Sequence, residues 1–211
     1  MAKGPSYRVS FRRRREGKTD YKARRALIIS RLPRVVTRCS LRHMNVQILD
    51  ATPTGDRVIA SANSQELKKY GWQVTCGNLP SAYLTGLLCG ARAVAKKVKN
   101  AVADIGLNQP TKGARVFASL KGVVDAGIDV PHDADKLPGE KELKGQHIAD
   151  YAKSLASSNM ELYEKTFSQY LKRKTPPENL VDHFETIKER IAAQPERKKP
   201  VKGKGKLKHN A

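Results

Sequence analysis

The sequence predicts an α/β body: a mixed sheet, an antiparallel meander followed by parallel βαβ strands, covered by helices and flanked by a basic arm and a basic tail. Three observations lead there. Short Val- and Ile-bearing runs near 34–40, 44–50 and 57–62 are separated by brief turns. Two later apolar runs, "AVADIGL" and "GIDVP", flank a helical pattern, and the cations crowd at the two ends of the chain.

Element by element, the arm comes first. Positions 1–25 carry ten basic residues against Glu16 and Asp20, a net +8, with Tyr7, Phe11 and Tyr21 interspersed. Thr19 or Asp20 caps a short helix through "YKARRALIISR", which stops before Pro33 and turns Lys22 and Arg25 outward. In "RVVTRCS", Val35, Thr37 and Cys39 alternate with Arg34, Val36 and Arg38, so one face of this strand is basic. "MNVQILD" follows as a second strand, "TPTGD" supplies a turn, and "RVIASA" makes the third. Asn63 or Ser64 with Glu66 caps a short helix that Gly71 ends.

A long helix is expected from about Pro80 to about Ala101, with Leu84, Leu87, Leu88, Ala91, Ala95 and Val98 as its core stripe. Gly86 and Gly90, four apart, permit close packing on a sheet. Arg92, Lys96 and Lys99 form a second stripe that either complements the helix dipole or touches phosphate. "ARVFASLKGVVDAG" is a helix with Val116, Phe117, Leu120, Val123 and Val124 inward, and the strands on either side of it, "AVADIGL" and "GIDVP", become parallel neighbours. "MELYEKTFSQYLKR" and "LVDHFETIKERIAA", the latter started by Thr175, Pro176 and Glu178, make the C-terminal third helical. The organisation is thus an arm over 1–25, one body over 26–195 and a lysine-rich disordered tail over 196–211, with seven basic residues against Glu196.

Composition narrows the function. The 211 residues include 41 Lys and Arg against 20 Asp and Glu, a net charge of +21. Concentrated flexible charge repels itself unless a polyanion neutralises it, and nucleic acid is the commonest one. The competing reading is that the ends only solubilise or localise the protein. No apolar run approaches the roughly 18 residues of a membrane span, and "MAKGPSYRVSFRRRR" has no secretory pattern. Cys39, Cys76 and Cys89 fit neither a disulfide framework nor a zinc pair, so they are expected as small buried residues in a reducing compartment.

Catalytic chemistry finds little support. Asp125, Asp129, His132, Asp133 and Asp135 form the densest acidic patch, yet their spacing matches no metal-loop motif. Local structure is the expected role, with an ion held by the protein or an RNA-associated magnesium as alternatives. The histidines are scattered, phosphate-loop motifs are absent, and "GKGK" lies in the tail, so no enzyme, cofactor or small-molecule substrate is expected.

The strings "RRRREGKTDYKARRAL" and "RLPRVVTRCSLRHMNVQI" resemble the archaeal and eukaryotic branch of universal large-subunit ribosomal protein eighteen, the 5S rRNA-binding family. "YGWQVTCGNLPSAYLTGLLCGARA", "VADIGLNQPTKGARVFASLKGVVDAGIDVPH" and "KGQHIADY" continue the resemblance to Tyr151. It implies a non-catalytic cytoplasmic constituent of the large ribosomal subunit that binds 5S rRNA and helps attach it to the large-subunit rRNA in the central protuberance, beside neighbouring ribosomal proteins. The positions it implies for RNA contact are Arg12, Arg13, Arg14, Arg15, Lys18, Tyr21, Lys22, Arg24 and Arg25 in the arm, then Arg34, Arg38, Ser40, Arg42 and His43. The tail lies outside the pattern. Outside this family, a chromosomal architectural protein is the remaining reading.

Overall fold

The arm begins with a single helical turn, α1 (Arg12–Arg15), and continues into α2 (Tyr21–Ile29), whose first turn is capped by Asp20 accepting from the amides of Lys22 and Ala23. The computed structural model describes residues 4–193. The expected tail, 196–211, lies outside the described residues. Position 25, the expected limit of the arm, falls inside α2, so arm and body share a helix.

Alternation then builds the sheet. β1 (Arg34–Cys39), β2 (Met44–Thr52) and β3 (Gly55–Asn63) form the meander, with Val35, Thr37 and Cys39 opposite Ile48, Val46 and Met44. This face turns into the core. Asn63 caps the following 3₁₀ helix, Ser64–Tyr70, in a reciprocal pair with Glu66, and Gly71 ends it at φ +100°. α3 (Leu79–Ala95) comes next, then β4 (Val102–Asp104), which pairs parallel to β1. Among the described residues the sheet order is β3-β2-β1-β4, the expected mixed sheet.

α4 (Arg115–Asp125) follows, then α5 (Glu140–Lys144), α6 (Gln146–Ser158), α7 (Met160–Thr166), α8 (Ser168–Lys172) and α9 (Leu180–Ala193), a helical C-terminal third. One continuous core joins Val46, Leu84, Leu88, Leu120, Phe184 and Ile187. No helix among the described residues is long and apolar enough to cross a membrane.

Four local expectations are corrected. α3 stops at Ala95 rather than near Ala101, because Lys97 turns to φ +64° and Val98 returns its amide to Ala93; Val98 still packs on the core, which prolonged the helical spacing. "GIDVP" is an isolated bridge, Asn100 to Asp129, and not a strand; the parallel strand pair is β1 with β4. "MELYEKTFSQYLKR" divides at Phe167 (φ −100°, ψ 18°), while Tyr163, Phe167 and Tyr170 stay on one buried side, so the apolar spacing does not register the break.

Gly86 and Gly90 pack on a helix and not on the sheet. A Cβ on Gly86 would lie 1.9 Å from the Ser119 carbonyl of α4, and one on Gly122 of α4 would lie 2.2 Å from the Tyr83 carbonyl of α3. Reciprocal glycines therefore let the two backbones touch.

Candidate nucleic-acid interface

Four consecutive arginines repel one another, and the local sequence compensates. In the arm, Glu16 lies 3.9 Å from Arg12 and 2.9 Å from Lys18, and the Arg13 Nε donates to Thr19 at 2.9 Å. Arg12, Arg13, Arg14, Arg15, Lys18, Lys22 and Arg25 are all exposed. The ring of Tyr21, a position the resemblance implies for RNA contact, lies 5.1 Å from that of Phe11 of the arm, which ties α2 to the segment before α1.

Arg24, Arg34 and Arg38 have a different environment. Arg24 donates both terminal nitrogens to Asp56, each at 2.8 Å. The same carboxylate accepts from Arg34 Nη2 at 2.8 Å, and Arg34 Nη1 donates to Asp104 at 2.8 Å. Arg38 completes the series, donating to the Asp104 carboxylate at 2.9 Å and to the Asp104 carbonyl at 2.8 Å. Cation and anion alternate through five side chains that fasten α2, β3, β1 and β4 together. Hydrogen bonding from Arg24 holds the Asp56 carboxyl below the usual carboxylate range, and the Arg24 guanidinium is raised in return.

The basic strand face is therefore corrected. Arg34 is 2% exposed and Val36 is buried, so the face is covered at these two positions, whereas Arg38 stays exposed while paired with Asp104. Between this face and α2 lies a cavity of about 770 Å³, lined by Leu27 and Arg24 above and by Val36, Leu49 and Asp104 below.

The β1–β2 turn places the last predicted residues. Ser40 Oγ donates to the His43 carbonyl at 2.9 Å and accepts its amide at 3.0 Å, so this hydroxyl shapes the turn. The His43 ring contacts Ser64 Oγ at 3.3 Å and Gln65 Nε2 at 3.1 Å. Arg42 and Leu41 project outward at the tip. Arg115, which sequence reasoning did not single out, braces this turn by donating to the Ser40 and Gly77 carbonyls at 3.2 and 2.9 Å.

The acidic patch disperses into separate local contacts. Asp125 accepts from the Tyr83 hydroxyl and pairs with Lys121, Asp129 bridges to Asn100 through its backbone, His132 Nδ1 meets the Val130 carbonyl, and Asp133 caps a turn. Among the described residues no three His, Cys, Asp or Glu side chains gather as a metal site. Cys76 and Cys89 are buried, and burial pushes both thiols up, Cys89 to about 12. Arg92 of the second α3 stripe is bound to Glu66 at 2.7 Å and to the Ser61 carbonyl, and Lys96 donates to the Ile59 carbonyl, so two of its three cations serve the fold.

Charge is thus segregated. Residues 4–138 hold 24 basic and ten acidic residues, whereas the helical layer 139–193 holds nine of each. That layer also exposes Tyr151, Met160, Leu162 and Leu171.

The chain matches the family model for ribosomal large subunit proteins 60S L5 and 50S L18 over residues 5–102 and 94–133. It is 52% identical over 192 residues to the large ribosomal subunit protein uL18 of Caldivirga maquilingensis, covering 90% of this chain and 93% of that one. It is 50% identical over 192 residues to uL18 of Aeropyrum pernix, covering 90% of each.

Proposed function

Since the chain belongs to the family of ribosomal large subunit proteins 60S L5 and 50S L18, and is a structural protein of the large subunit rather than an enzyme, we propose that it binds 5S rRNA and helps attach it to the large-subunit rRNA in the central protuberance. The observation that carries this reading is the separation of two classes of arginine. Arg34 is buried between Asp56 and Asp104, and Arg24 and Arg38 are each paired with one of these acids, while Arg12–Arg15, Lys18, Lys22 and Arg25 present exposed charge on an arm that the core does not cover.

Phosphate neutralisation by those exposed cations supplies affinity, and release of counterions makes it salt-dependent. Guanidinium forks bridge phosphates and stack on unpaired bases, which suits a folded RNA better than a point charge does. The β1–β2 turn, with exposed Arg42 at its tip, adds a second contact. The charge-neutral helical layer and its exposed apolar residues face neighbouring large-subunit proteins. Any magnesium in the interface belongs to the RNA, the protein works in the cytoplasm without a cofactor of its own, and the lysine-rich tail adds diffuse attraction.

Filter binding tests this against the architectural-protein reading. At about 150 mM salt the full chain should retain folded 5S rRNA and release duplex DNA of equal charge. Equal retention of both would refute a 5S-specific role.

A further inference from the structure

The face of the sheet beneath α2 contains an oxyanion site already filled by the protein itself. Two guanidinium groups, from Arg24 and Arg34, converge on the Asp56 carboxylate with three contacts of 2.8 Å. That geometry suits a phosphate as well as a carboxylate. The two arginines are held very differently. Arg34 is buried and keeps Asp104 on its other nitrogen, whereas the Arg24 side chain is 32% exposed and rides on α2, which contains no buried residue. The cavity of about 770 Å³ separates that helix from the sheet. α2 joins β1 through Arg31, an arginine at φ +55°, a left-handed conformation that a non-glycine residue adopts at a cost.

We propose that the Arg24–Asp56 pair is a latch that RNA opens. A backbone phosphate takes the Arg24 fork from Asp56, α2 and the arm swing away from the sheet about Arg31, and Asp56 remains on Arg34. This rests on the reading of the chain as an RNA binder and adds how its arm is held and released.

The exchange is nearly balanced, because no buried charge is abandoned. Arg24 trades one oxyanion for another, Asp56 keeps Arg34, and Arg34 keeps Asp104. Leaving a buried charge unpaired is the step that would make opening prohibitive, and this arrangement avoids it. Swinging α2 away uncovers the half-buried Leu27 and Ile28 and the Val36 and Leu49 side chains beneath them, but no α2 side chain belongs to the continuous core. Without RNA, the latch keeps the Arg24 fork occupied and the arm against the body. The closed fraction then lowers the apparent affinity in proportion, so removing the latch raises it.

The test uses the full chain, with Cys39→Ser to limit labelling and spin labels on Ala26→Cys in α2 and Thr54→Cys in the β2–β3 turn, both exposed positions. Pulsed dipolar spectroscopy should give a short separation in the free protein and a longer one with saturating 5S rRNA. Asp56→Asn should show the long separation without RNA and tighten 5S binding on the order of tenfold if the latch is closed nine-tenths of the time. Asp50→Asn, an equal charge change on the same hairpin, should do neither. Arg24→Gln should lengthen the free-protein separation without tightening binding, since it also removes the phosphate contact. Because it leaves Arg34, Asp56 and Asp104 in place, it serves even if Asp56→Asn does not fold.

A separation that stays short when the wild-type chain is bound to RNA overturns the latch while leaving the RNA-binding reading intact. So does an unchanged separation in free Arg24→Gln. Failure of the wild-type chain to bind 5S rRNA would instead refute the functional reading, and the RNA-opened latch with it.

Discussion

Replacing Arg34 with methionine separates a fold-bearing arginine from an RNA-bearing one. Methionine fits the buried stem but removes the charge that joins Asp56 to Asp104. Breaking a buried ion pair by deleting one partner costs roughly 3–5 kcal/mol when the other charge is left alone. Here neither acid is: Asp56 keeps Arg24 and Asp104 keeps Arg38. The expected loss is therefore below that range, about 2–3 kcal/mol, because each carboxylate loses one charge-assisted bond but stays paired. For a chain of this size that corresponds to a melting temperature lower by roughly 5–10 °C. Binding should respond differently. Arg34 is closed off from phosphate, so the slope of log affinity against log salt should stay at the wild-type value, measured at temperatures where the variant is folded. The assay is a thermal melt combined with filter binding of 5S rRNA across a salt series. An unchanged melting temperature with a slope reduced by about one unit would refute the reasoning, because that pattern belongs to a phosphate contact.

The exposed arm should behave in the opposite way. Substituting Arg12–Arg15 with alanine should flatten the salt slope by roughly one unit per lost contact while the melting temperature holds; a comparable loss on deleting 196–211 instead would mean that bulk charge alone matters. Gly86→Ala should destabilise by about 3 kcal/mol despite its better helix propensity, because the added methyl meets the Ser119 carbonyl backbone at 1.9 Å, and a denaturant midpoint unchanged from wild type would contradict the close contact of α3 and α4. Burial, reinforced by Arg190, holds the His183 imidazole below the usual histidine range while its ring stacks on Trp72 at 5.2 Å. Its folded value being lowered, this contribution to stability is full above the unfolded value of about 6.5 and declines as pH falls through it. Emission from Trp72, the sole tryptophan, and the melting temperature should therefore both shift on acidification from about pH 7.5 to 5.5. His183→Phe should suppress those shifts, and their persistence in that variant would exclude His183 as the cause.

Much of the architecture was legible because its signals are local. Period-two alternation marked β1 and β2, the Asn63 and Glu66 pair marked the helix that Gly71 ends, and Asp20 marked the start of α2. Where neighbours in space decided the outcome, reading failed at particular residues. The spacing of Val98 continued the α3 stripe although Lys97 had already turned the chain. Gly86 and Gly90 announced close packing without saying against what, since the answer, Ser119 and Val123, lies on another helix.

The candidate site divides along the same line. The concentration of exposed arginine in the arm, and with it the choice of a polyanion as partner, follows from composition and order alone, because like charges with few acids nearby cannot all be neutralised within the chain. Which cations remain free was decided only in three dimensions. Arg34 and Arg38 read as one basic face, yet Arg34 finds Asp56 22 positions away and Asp104 70 positions away. A lone acid in an apolar run, such as Asp104 in "AVADIGL", was the available hint of a buried pair. The sequence by itself determined most of the elements, the core-facing sides of β1 and β2 and the arm's charge, since these depend on neighbours within a few residues. The tertiary structure alone chose the partners, because neutralisation requires an acid within hydrogen-bond reach and sequence separation does not measure that distance.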